Sequence, residues 1–143
     1  MQKVFSATTY FIIGYTIVVA TVTSLYFLPG PLRASLGTVL AAVIFVDMSY
    51  RFLRKNFSVG EPVTIKSILY LMTYWSFLSI TLDILIMVVI LPSIASGSLD
   101  WTFFSQQPSI YWLQFPMFYV FGFASQAIHN RVMSITTAKV DNI

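Results

Sequence analysis

From Val4 to Leu28 the chain runs for 25 residues without a single Asp, Glu, Lys or Arg. A run of this kind leaves few folds open. At a rise of about 1.5 Å per residue it reaches across the roughly 30 Å hydrocarbon core of a bilayer. No water is present there to bond the backbone, so the run must be helical. Pro29-Gly30-Pro31 follows at once and cannot continue the helix. A secretory signal is the competing reading, because Lys3 gives a positive start. A signal's apolar region is only about 7–15 residues, and no small-residue cleavage site follows here. The run is therefore read as a retained membrane span.

Three further segments qualify, with unequal strength. Residues 35–53 form the weakest, since the uncharged part stops at Val46 and Asp47 and Arg51 follow. Residues 67–91 are interrupted only by Asp83, and Pro92 is expected to end them. Residues 109–128 carry no charge, and Pro116 inside them predicts a kink. Composition agrees: 57% of residues are hydrophobic and 9% charged, against about 25% charged in a soluble domain. The expectation is an all-α membrane protein. It is a single domain over 1–143, a four-transmembrane-helix antiparallel bundle with spans at about 4–28, 35–53, 67–91 and 109–128.

Lys and Arg near the span ends set the orientation. Lys3, Arg51, Arg54, Lys55, Lys66, Arg131 and Lys139 fall on one side of such a bundle, and Arg33 alone on the other. Seven against one predicts both termini in the cytoplasm, in a multi-pass protein of the cell's inner or plasma membrane. Tyr26, Phe27, Trp101, Phe103, Phe104, Tyr111 and Trp112 gather at the outer interface, and Tyr50, Phe52 and Phe57 at the inner one. Amphipathic rings anchor at these levels. Between the spans, Val59-Gly60-Glu61-Pro62 reads as a turn. Ser93 to Ser98 is small and flexible, and Trp101–Phe104 is expected to return to the interface. The polar tail after Met133 is expected to fray.

Asp83 is the most informative residue, because a carboxyl at hydrocarbon depth is costly and marks a functional site by default. Thr73, Ser76, Ser79 and Asp83 are spaced 3, 3 and 4 apart, which reads as a polar stripe along one helix face. The stripe fits a proton or solute path, or an interhelical hydrogen-bond seam. Asp47 and Arg51 are four residues apart, as an ion pair on one helix face requires. Counted from the span ends, Gln114 matches Asp83 in depth and Gln126 matches Asp47. Two polar layers are therefore expected, Asp83 with Gln114 outside and Asp47, Arg51 and Gln126 inside. His129 reads as an interface residue at a helix end. Gly37 with Ala41, and Thr16 with Ala20 and Ser24, are small residues at four-residue spacing that suit close helix packing.

Other chemistries are excluded or unsupported. The absence of Cys rules out disulfides and zinc–thiolate sites, and one His rules out a His-cluster metal site or bis-histidine haem. No Walker A loop, G-x-S-x-G elbow, H-E-x-x-H or dinucleotide fingerprint is present, so no catalytic or cofactor-binding residue is assigned. Asp47 and Asp83 differ in depth by more than about 10 Å, too far for an acid–base dyad. A net charge of +3 is too small for a nucleic-acid surface. The expected partner is the lipid bilayer, with a homo-oligomer or a larger membrane complex beyond it. Three functions lead: transport or conduction through Asp83, a scaffolding subunit, or a bundle that holds a lipid or other hydrophobic ligand; enzymology on a lipid substrate is a weaker fourth.

Overall fold

The computed structural model describes residues 2–57, 62–106 and 109–140, without the side chains of 31, 34, 106, 109–111, 137, 139 and 140. The turn read at Val59–Glu61 and the side chains of Tyr111 and Lys139 lie outside this set. Every element among the described residues is helical. Helix α1 spans Gln2–Ser24 and α2 spans Gly30–Asn56. Proline explains the break between them. Pro31 stands in the first turn of α2, where its missing N–H has no helical partner to lose. Helix α3 (Ile65–Asp83) starts at Thr64, whose side chain accepts the Ser67 amide and caps the helix.

Beyond Asp83 the helix widens to π geometry over Ile84–Ile90, with the Leu91 amide bonded to Ile86 five residues back. Pro92 does not end the segment, which corrects the reading from sequence. Winding continues as α4 (Leu91–Ser96), with Pro92 in its first turn. The Val88 carbonyl, four residues before the proline, accepts the Asp100 amide at 3.1 Å instead. Gly97 makes this return possible, because its φ of 70° is open to glycine at no steric cost. Asp100 then accepts the Thr102 amide and hydroxyl and leads into the single-turn α5 (Phe103–Gln106).

Helix α6 (Ser109–Val140) is the longest at 32 residues. It continues helical past Pro116, and residues 134–140 are helix, not the frayed tail expected from the sequence. Among the described residues three stretches are long and apolar enough to cross a membrane: α1, residues 35–56 of α2, and the continuous 65–96. Large apolar side chains such as Phe5, Val43, Phe77, Ile94 and Val120 face outward. Surface and length together fit a membrane protein, since lipid solvates such a surface and water does not.

Helix α1 packs on α2, α2 on α6, α6 on α3, and α3 back on α1. The last seam is the sparsest. Each long helix contributes a ring to a central cluster of Phe11, Phe45, Trp75 and Phe118, all buried. Phe11 lies 5.7 Å from Trp75 and 6.2 Å from Phe118, and Phe45 meets Phe118 edge-on at 4.9 Å. The Trp75 indole donates to the Ala7 carbonyl at 3.2 Å, so its polar edge is satisfied too. Small residues set the tightest approaches. Gly122 of α6 faces Met72 and Ile68 of α3, Gly14 of α1 faces Met48 of α2, and Gly37 of α2 faces Val22 of α1.

Candidate functional site

Asp83 closes α3 at the point where the helix widens, and it is buried. Because the helical stretch runs on to Ser96, the carboxyl lies about 20 Å from its Ser96 end. That is deeper than a helix ending at Pro92 would place it. The Tyr15 hydroxyl of α1 donates to Asp83 Oδ1 at 2.8 Å. This bond crosses the sparse α1–α3 seam. Beside it runs a surface groove of about 360 Å³ lined by Tyr15, Thr16, Ala20, Leu82 and Ile86 among others. The stripe of small residues on α1 therefore borders this groove.

The four polar residues of α3 separate by helix geometry. A step of three residues falls about 60° short of a full turn, so two such steps carry Ser79 about 120° from Thr73. Ser79 and Asp83 are buried, and Ser76 Oγ is buried without a hydrogen-bond partner. Thr73 is exposed and bonds the Tyr119 hydroxyl at 2.9 Å. Gln114 Nε2 is also buried and unpartnered. The antiparallel register that sets Tyr119 beside Thr73 brings Gln114 level with Leu78–Ser79, roughly a turn short of Asp83. Ser76 and Gln114 thus leave a donor and a hydroxyl unsatisfied in the layer next to the carboxyl. Groups of this kind call for an explanation such as a bound water, ion or solute.

At the other end the polar residues go separate ways. Arg51 Nε donates to Asp47 Oδ2 at 2.7 Å, and the pair is exposed on α2. Asp47 and Gln126 do not meet. The Gln126 amide instead donates to the Val63 carbonyl at 2.5 Å. Asn130 accepts the Val63 amide at 3.1 Å, so α6 grips the α2–α3 connection by both backbone groups. One turn away the Ser49 and Ser125 hydroxyls stand 2.5 Å apart, joining α2 to α6.

His129 is fully buried and does not stand at a helix end, because α6 runs on well past it. Its ring lies 6.3 Å from Tyr50, and neither nitrogen has a hydrogen-bond partner. Burial without a partner favours the uncharged form of the ring. A neutral ring with two wasted polar atoms can be replaced by an apolar ring of similar shape at little cost. His129→Phe is expected to match or raise the thermal midpoint of the purified protein. A loss of more than about 1 kcal/mol would show that the imidazole has a partner.

Sequence reasoning passed over two features of this region, Tyr15 and the four-ring cluster. Tyr15 carried a signal, since it sits mid-span, away from the interfaces where tyrosine usually anchors. Among the described residues no three His, Asp or Glu side chains gather as metal ligands would. Comparison of the chain with models of known protein families, with curated proteins and with solved structures finds no match.

Proposed function

We propose that the chain is a four-span antiparallel membrane bundle with both termini cytoplasmic, and that it moves a proton or a small solute along a path through Asp83. The observation that carries this reading is a buried carboxyl, bonded by Tyr15, in a layer where Ser76 and Gln114 have polar atoms unmatched. A carboxyl at this depth exchanges a proton with a passing partner at little structural change. The four inward rings fill the axis, so the path follows the α1–α3 seam and its groove. Ser79 lies one turn from Asp83 on the buried side of α3, Ser76 and Gln114 lie in the neighbouring α3–α6 layer, and Thr73 turns to Tyr119 of α6, outside this seam.

Proteoliposomes loaded with a pH-sensitive dye test the proton case. The wild-type chain is expected to dissipate an imposed pH gradient at least about tenfold faster than Asp83→Asn, a difference of about 1.4 kcal/mol in barrier. Equal rates for the two proteins would end the reading, as would a wild-type rate no faster than that of empty vesicles.

One observation favours a second reading, a subunit of a larger membrane assembly. The Asp47–Arg51 pair faces outward from an apolar helix, with four of the five guanidinium N–H groups still to be satisfied. A partner helix with an acceptor at that level satisfies them. Purification in mild detergent distinguishes the cases, because a homogeneous species containing this chain alone counts against a subunit role.

A further inference from the structure

A cavity of about 630 Å³ opens between the start of α1 and the end of α2. Lys3, Ser6, Lys55 and Asn56 stand around its charged end, and Phe5 and Ile13 line it as well. Phe5, Thr9 and Ile13 follow one another at four-residue spacing, so the cavity runs along a single face of α1 for about 12 Å beyond Phe5's turn. Cations and polar groups from Lys3, Ser6, Lys55 and Asn56 thus gather at one end beside Phe5, with Thr9 and Tyr10 midway and apolar Ile13 at the other end. Each lysine rests on a ring, Lys3 over Phe57 at 4.6 Å and Lys55 over Tyr10 at 5.9 Å. Both are exposed, and among the described residues neither has a carboxylate partner. The Asn56 amide donates to Ser6 Oγ at 3.1 Å and to the Phe52 carbonyl at 2.8 Å, which fixes the polar wall.

We propose that this cavity is a binding site for an anionic phospholipid. The phosphodiester sits between Lys3 and Lys55, the headgroup hydroxyls reach Ser6 and Asn56, and an acyl chain lies along Phe5 and Ile13. Three features select this ligand over a soluble anion. The cavity is amphipathic along its length, its apolar end leads into the level of the hydrocarbon, and its cations stand where headgroups stand. Basic pockets between helices at a cytoplasmic membrane face suit anionic lipids for the same reason. The proposal rests on the membrane orientation given above and is independent of transport through Asp83.

The test uses the full chain in mild detergent. Native mass spectrometry and thermal melting are read against added phosphatidylglycerol, phosphatidylcholine of the same acyl chains, and inorganic phosphate. Phosphatidylglycerol is expected to bind and raise the midpoint, while phosphatidylcholine and phosphate leave it unmoved. Lys3→Gln with Lys55→Gln is expected to weaken phosphatidylglycerol binding by about 30-fold, the effect of two lysines near a charged headgroup. Lys66→Gln with Arg131→Gln removes the same charge elsewhere and is expected to leave binding intact. Equal loss in the two double variants would mean diffuse attraction and overturn the site. Equal stabilisation by phosphatidylcholine would overturn the charge selection, and stabilisation by phosphate would overturn the lipid. Cysteine labelling of Ser6→Cys from each side of sealed vesicles tests the orientation separately.

Discussion

Trp75→Ala is expected to cost about 3–5 kcal/mol of stability, the usual loss when a buried large aromatic side chain is truncated. Trp75 is 1% exposed and its ring stands 5.7 Å from Phe11 and 6.1 Å from Phe45. Lipid tails are as apolar as the core, so helices in a bilayer are held by close packing rather than by escape from water. Removing the indole leaves a void where α1, α2 and α3 meet, and it leaves the Ala7 carbonyl without its donor. Trp75→Phe keeps most of the packing and loses the N–H bond, so about 1 kcal/mol is expected. Trp101→Ala supplies the contrast, because that ring is 64% exposed and its loss is expected within about 0.5 kcal/mol. Reversible unfolding in mixed micelles reads all three. A loss below about 1 kcal/mol for Trp75→Ala would remove the cluster from its central role.

Gly122→Ala is the second large effect, and its sign is the informative part. In an exposed helix the change would stabilise by up to about 1 kcal/mol, because glycine is a poor helix former. Here an added Cβ would stand 2.5 Å from Met72 Cγ and 2.8 Å from Met72 Sδ, with Ile68 Cγ2 at 3.0 Å. Met72 is fully buried, so its side chain must repack within the core to make room. The expected result is a net loss of about 1–3 kcal/mol as α3 and α6 are forced apart. Adding Met72→Ala removes the obstructing atoms, so the two changes together are expected to cost less than their sum. The coupling falls at about 0.5–3 kcal/mol in a double-mutant cycle. A stabilising Gly122→Ala, or strict additivity, would mean that the two helices do not approach this closely.

The parts of the fold that depend on length and charge were legible in the chain itself. The uncharged run after Lys3 and the apolar stretch around Asp83 are both helices of spanning length. What was hidden depends on contacts between distant residues. Pro92 reads as a stop, yet the helix passes through it, because the Asp100 amide folds back to the open Val88 carbonyl. Neither the π widening nor that return has a local pattern. His129 reads as a helix end for a similar reason, since polar residues follow it whether the helix stops or runs on.

The candidate site divides in the same way. Asp83 stands out by its charge alone, and the structure buries it. The neutral partner Tyr15 does not stand out, because hydroxyl-bearing rings are common in membrane helices. Thr73 joins the stripe when spacing alone is considered, but the accumulated angle turns it toward Tyr119. Gln126 shows the limit of an argument from depth. Depth sets which residues share a level and leaves open which way each one turns, and this side chain turns to a backbone carbonyl.

The grip of α6 on the Val63 backbone bears on the order of assembly. A polypeptide leaves the ribosome N-terminus first, and Gln126 lies 63 residues after the carbonyl that it bonds. Throughout the synthesis of that interval the elbow between the second and third helices has neither of its eventual side-chain clasps. The helical hairpin ahead of it therefore matures only once the final helix has emerged and docked. A chain that stops before Gln126 leaves the elbow with neither side-chain clasp.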